Sequence, residues 1–323
     1  MKLARRKFLQ SAAGAAALLA APRGAVAQAY PARPVRLIVG FPPGTATDTD
    51  GRLIAQWLSE RLGQQVIVDN RTGAGTNIAV ESVVRADPDG YTLLMVTVTN
   101  AVNATLYRKL NFDLVRDIAP VAGTMQTANV LVVNPDVPAH TIPEFIAYLK
   151  AHPGKVNYAS NGHGSAPNMA AELFKSMTGT DMVHVPYRSS MTPDLLGGQV
   201  QVAFTPIPLS IAFIRDGKLR ALAVTGVKRS DALPGIPTVA EFVPGYEAEV
   251  WHGVGAPKDT PADIVAKLNK EIGAALADPG LLAKFANLGA EPLPMTPPEF
   301  GKFVAAEIDK WAKVVRFAGV TLE

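Results

Sequence analysis

The stretch RLIVGFPPGTATDTDGRLIAQ, Arg36 to Gln56, constrains the fold more than any other part of the chain. Leu37-Ile38-Val39 reads as a buried strand that stops at Phe41-Pro42-Pro43-Gly44. Three small residues and Asp48 follow, and then Leu53, Ile54, Trp57 and Leu58 recur at helical spacing. A buried strand turning sharply into an amphipathic helix is the unit of α/β folds. The spacing predicts further strands at 65–69, 91–97, 128–134, 156–160, 182–187, 200–205 and 219–225. It predicts helices at 46–62, 76–86, 142–151, 166–178, 191–197, 208–216, 261–276, 279–288 and 297–318. Alternation of this kind argues for parallel sheets.

Two more strand-to-helix junctions are glycine turns. YASNGHGSAPNMAAELF (158–174) passes through Asn161-Gly162-His163-Gly164 to a helix capped by Ser165, with Pro167 in its first turn. VDNRTGAGTNIAVESVV (68–84) passes through Gly73 and Gly75 to a helix that Thr76 or Asn77 would cap. In open α/β sheets, ligands lodge outside the carboxyl ends of the strands. Each helix start there offers unpaired N–H groups and the positive end of a dipole, a seat for a carboxylate or phosphate.

The N-terminus carries Arg5-Arg6-Lys7-Phe8-Leu9, then an apolar run from Ala12 to Ala21, then Ala25-Val26-Ala27. This reads as a twin-arginine-type export signal over residues 1–27, cleaved after about Ala27 to leave Gln28 first. Those residues hold five cations and no acid, so their loss takes Lys+Arg from 31 to 26 against 28 Asp+Glu, and the net charge from +3 to −2. A nucleic-acid partner therefore has no clustered basic face to bind. The chain has no cysteine, which excludes disulfides and thiolate chemistry.

Other chemistries find little support. Neither GxxxxGK[ST] nor GxGxxG occurs at the turns, which disfavours nucleotides. The five histidines are scattered without metal-ligand spacing, so no metal or other cofactor is expected. Gly162-His163-Gly164-Ser165-Ala166 does not match GxSxG, and Ser165 reads as a cap rather than a nucleophile.

The chain resembles the substrate-binding proteins of tripartite tricarboxylate transporters, the Bug family, over essentially its whole mature length. The resemblance rests on YPARPVRLIVGFPPG with Asp48 and Arg52, VDNRTGAG, DPDGYTLL, NYASNGHGS, HVPY, GGQVQVAF, GKLRALAVTG, LPGIPTVAE, Trp251 and APKDTP, in that order. It implies a type II periplasmic binding fold, two α/β lobes around a central ligand cleft. Lobe one would be residues 28–127 plus 252–323, and lobe two 128–251 with the crossing strands. It implies a monomeric periplasmic receptor that delivers a small carboxylate to membrane transporter subunits. A receptor serving a membrane signalling partner is an alternative, as is a serine hydrolase using Ser165.

The family's grip is a pincer on one carboxylate, worked largely by main-chain amides and bridging waters. Carried onto this chain, the first turn supplies Phe41, Pro43, Gly44, Thr45, Ala46, Thr47 and Asp48. The second supplies Ser160, Asn161, Gly162, Gly164, Ser165 and Ala166, with Tyr187, Arg188 and Thr205 beside it. Pro42 and Pro43 stiffen the first turn, and Gly44 admits the anion to the backbone. Thr45-Ala-Thr-Asp48 reads as a capping box, and Arg52 lies four residues beyond Asp48 for an ion pair. Asp48 is then a brace for the turn, or else the group that orients a bridging water. The chain departs from the family's pattern at Thr45, Asn168, Arg188-Ser189, Gln201 and Thr205. At the last two, acids are common, and their absence disfavours an ammonium-bearing ligand.

Overall fold

A computed structural model describes residues 30–187 and 190–323. The export signal expected over residues 1–27 and the ligand contact expected at Arg188 lie outside those residues.

The first half of the chain builds the strands β1 (Val35–Val39), β2 (Val66–Asn70) and β3 (Thr92–Thr97), with α1 (Ala46–Leu62) and α2 (Asn77–Val84) between them. β1 pairs in parallel with β2 and β3. Helices α3 (Val98–Leu106) and α4 (Leu114–Asp117) lead into β4, which runs sixteen residues from Ile118 to Val133. Next come α5 (Ile142–Ala151), β5 (Asn157–Ser160), α6 (Ala166–Thr178), β6 (Val183–Pro186) and α7 (Thr192–Leu196). β7 (Val202–Pro206), α8 (Ile207–Arg215) and β8 (Arg220–Val224) follow. The chain closes with β9 (Glu249–Pro257), α9 (Ala262–Ala275), α10 (Pro279–Asn287), β10 (Glu291–Pro292) and α11 (Pro297–Ala318).

β4 belongs to two sheets. Its residues Ile118–Ala128 run antiparallel to β9, which in turn pairs with β3. Asn129–Val133 instead pair antiparallel with β7 and β8, while β5 lies parallel to β6 and β7. The sheets are therefore mixed: the βαβ units are parallel as expected, and β4, β8, β9 and β10 run against their neighbours. β4 starts ten residues before the expected strand, because IAPVAGTMQT alternates too weakly to read as a sheet element. The sequence reading assigned no element to α3, whose VTNAVNATL is rich in β-branched residues and Asn. A capping box between Thr97 and Asn100 starts this helix, and packing against α11 completes it.

α11 also packs on β4 and reaches α6. Its buried face repeats at Phe300, Val304, Glu307, Trp311 and Val315, an apolar stripe with one acid in it. Glu307 Oε2 accepts the indole N–H of Trp251 at 2.7 Å and of Trp311 at 2.8 Å, and all three residues are buried. Lys310 supplies the counter-charge. Among the described residues no helix is long and apolar enough to cross a membrane.

Glu307→Ala strands two buried indole donors and should destabilise the protein by about 2–5 kcal/mol in urea unfolding. A loss below about 1 kcal/mol would show that water reaches those indoles.

Candidate functional site

β1 and β5 both end in glycine turns that open helices, and each turn is built from its own hydrogen bonds. After β1, the Thr45 hydroxyl donates to Pro42 O (2.8 Å) and accepts the Asp48 N–H (3.4 Å), which caps α1. The reciprocal half of the box lands one residue earlier than expected. Asp48 Oδ2 accepts the N–H of Gly44 (2.9 Å) and Arg52 Nε (2.9 Å). Its Oδ1 accepts from Arg52 Nη2 (3.0 Å) and Asn70 Nδ2 (2.8 Å). Asn70, the last residue of β2, also donates to Phe41 O at 2.9 Å. Burial pushes the Asp48 carboxyl upward, but the bonds from Arg52, Gly44 and Asn70 outweigh it and hold the group below its ordinary value. With four donors on two oxygens, Asp48 is the brace of this turn.

Gly44 adopts φ +82°, and a Cβ there would meet nothing within 4 Å. The turn needs glycine for its backbone conformation and for the N–H it gives Asp48. Gly40 needs it for space, since a Cβ would lie 2.6 Å from Thr76 Cβ.

The second turn is tied down in the same manner. Ser160 is fully buried; its Oγ accepts the Gly162 N–H (3.0 Å) and lies 2.6 Å from His184 Nε2. Ser165 caps α6 as expected, accepting the Asn168 N–H (3.4 Å) and donating to Gly162 O (2.7 Å). Among the described residues no histidine bonds to Ser165. Gly164 gives its N–H to Asn168 Oδ1 (3.0 Å), and Asn168 Nδ2 reaches the Tyr158 hydroxyl (2.7 Å). Tyr158 in turn donates to Glu172 Oε1 (2.5 Å), which also holds Lys175 at 3.1 Å. Gly164 sits at φ +75°, where a Cβ would run into Leu106 of α3. Burial, then the charges of His163 and Lys175, push His184 down to about 4, so it is neutral at physiological pH.

Several amides of both turns are therefore already used: Gly44, Gly162, Gly164 and Asp48. Those of Ala46 and Thr47 at the start of α1 have no acceptor among the described residues, nor do those of Asn161, His163 and Ala166 around the start of α6. Pro43, Ala46 and Asn161 are exposed. The side chains expected to offer hydroxyls are committed elsewhere. Thr47 Oγ1 turns inward to His252 Nε2 (3.1 Å), and the Tyr187 hydroxyl donates to Asp194 (2.7 Å). Burial and then Asp194 push Tyr187 up to about 12. Thr205, at the exit end of β7, accepts from Ser210 (3.3 Å). Gln201 precedes β7 at its opposite end and is held by Asn157 N and Gly198 O, so its side chain is a brace far from the turns.

The third glycine turn differs from its reading. Thr76 occupies the N-cap position at φ +82° without a side-chain cap bond; its hydroxyl accepts from Asn100 instead (2.8 Å). Sequence reasoning assigned no role to Asn70, Asn100 or His184. The one local signal for Asn70 is its place at the end of a strand beside a glycine turn.

The family profile described as "Tripartite tricarboxylate transporter family receptor" matches residues 51–320. Protein BugT of Bordetella pertussis is 39% identical over 314 residues, covering 96% of each chain. A solved protein of R. palustris with adipate is 38% identical at a TM-score of 0.78, over 90% of this chain and 99% of that one. MatC from Rhodopseudomonas palustris with bound malate is 31% identical at 0.75, over 88% and 100%.

Gly44→Ala should cost about 1–2 kcal/mol from its backbone conformation alone. Gly164→Ala adds a collision with Leu106 and should cost more, about 2–4 kcal/mol. Equal losses in urea melts would mean the second turn can move away from α3. Asp48 stabilises the fold fully above its unfolded pKa, and that contribution fades as the pH falls through the depressed folded value. Asp48→Asn should therefore lower stability at neutral pH and flatten the acid limb of the stability profile.

Proposed function

The chain belongs to the tripartite tricarboxylate transporter receptor family, and from that premise we propose that it captures a small organic carboxylate between two lobes and hands it to membrane transporter subunits. The observation that carries the reading is the set of unclaimed amides at the starts of α1 and α6. A carboxylate has four lone-pair sites and no donor, so it complements unpaired N–H groups and the positive ends of two helices. Among the described residues, Arg52 is paired with Asp48 and Lys175 with Glu172. A backbone seat of this kind binds the carboxylate group common to many acids, and the walls between the turns choose among them. Adipate and malate in the related structures are acids of this class.

In this reading the lobes meet where β4 passes from one sheet to the other, near residues 127–132, and the chain returns near 247–254. Phe41, Tyr187 and Pro206 supply an apolar wall, and the protein works as a periplasmic monomer after removal of residues 1–27. Twin-arginine export would leave Gln28 as the first residue, which N-terminal sequencing of the exported protein checks.

Calorimetric titration against a panel of organic acids that includes adipate and malate should give one-to-one binding by at least one of them, with no turnover. Arg188→Ala should weaken that binding less than about tenfold, because amides rather than a side-chain cation hold the anion. Abolition of binding by that change would transfer the anchor to Arg188.

A further inference from the structure

Beneath the first turn lies a buried polar chain that the site described above does not use. Thr47, the second residue of α1, is 5% exposed, and its Oγ1 lies 3.1 Å from His252 Nε2. His252, on β9 and 1% exposed, places Nδ1 3.2 Å from Asp50 Oδ2. Asp50 is wholly buried, and the same Oδ2 accepts the hydroxyl of Thr124 on β4 at 2.7 Å. Its other oxygen, Oδ1, has no partner among the described residues.

A fully buried carboxylate with one oxygen unpaired is expensive, and an apolar trio of similar volume would hold the same three elements together at less cost. Polar groups retained under that penalty have a geometric task. The chemistry of the chain defines one. Asp50 Oδ2 faces Nδ1 as an acceptor, so Nδ1 carries a proton, and with one proton on the ring Nε2 is the acceptor. The Thr47 hydroxyl must then donate inward. In β-sheet register His252 lies opposite Thr97 of β3 and Met125 of β4, so the ring is anchored in the middle of three strands. Two of those strands, β4 and β9, flank the passage between the sheets.

We propose that Asp50 and His252 are positioning residues for the ligand site: through the Thr47 hydroxyl they hold the first turn of α1, with its free Ala46 and Thr47 amides, against β9 and β4. The inference rests on the carboxylate-binding reading for its consequence, but the relay itself is testable without a ligand. It also explains why Thr47 brings its amide rather than its hydroxyl to the cleft.

Long-range proton–nitrogen correlation on the unliganded protein at neutral pH should show His252 as the Nδ1–H tautomer. Thr47→Val should shift its Nε2 resonance, and Thr47→Ser should restore it. An Nε2–H tautomer, or an Nε2 signal indifferent to Thr47→Val, overturns the relay. Where adipate or malate binds the wild type, Thr47→Val and His252→Gln should each weaken that acid about fivefold, the equivalent of one hydrogen bond. Unchanged affinity overturns the positioning role. Should neither acid bind, the Ala46 and Thr47 amide resonances decide: His252→Gln should move both, and fixed positions refute the proposal. A correct tautomer with no acid bound at all would count against the carboxylate reading and not against the relay.

Discussion

Everything that positions the site depends on β4 serving two sheets. A strand satisfies its backbone on both edges, and β4 does so with different partners along its length. β9 accompanies it through Ala128, and β7 and β8 take over from Asn129. Each sheet carries its own parallel βαβ units, and parallel strands bring their carboxyl ends to one edge. The turns after β1 and β5 are the products of that geometry, one from each sheet. Because the pairing changes within a single strand, β4 ties the two sets of turns together, and α11, packed on both α3 and α6, adds a second connection.

Around both turns, donors are sorted by what they are already bound to. Asp48 takes up Gly44, Arg52 and Asn70, and Asn168 takes up Gly164. The hydroxyls of Thr45 and Ser165 give their protons to carbonyls of their own turns. What remains is a small set of amides held in place by bonds made before any ligand arrives. Preorganised donors of this kind lose little conformational entropy when an acceptor binds.

The sequence makes these turns legible and the braces behind them obscure. Pro43, Gly44, Thr45 and Ser165 announce themselves because turn and cap chemistry is local: a φ near +80° or an N-cap bond is settled within four residues. Helix bounds such as 142–151, 166–178 and 297–318 are legible for the same reason, since caps and stripes lie inside them. Asn70 bonding Asp48, Asn100 bonding Thr76 and His252 bonding Thr47 join residues 22 to 205 positions apart, and no local pattern encodes them. Thr76 shows the difference in one residue. Its place at a helix start is visible locally, but Asn100 competes for its hydroxyl and wins.

A trace of the hidden braces was nonetheless present in the helical stripes. α1 buries Asp50, Ile54 and Leu58 on one line, and α11 buries Glu307 between Val304 and Trp311. α6 does the same with Glu172 among Met169, Leu173 and Phe174. An acid on the apolar face of a helix is costly unless donors meet it, so each such acid implies donors on whatever that face covers. Here the donors are Thr124 and His252 for Asp50, two indoles for Glu307, and Tyr158 with Lys175 for Glu172. All three acids fasten a helix to a strand by a directional bond, where apolar packing alone would leave the helix free to slide. That registration matters most in α1 and α6, because a slide along either axis would move the amides at its mouth.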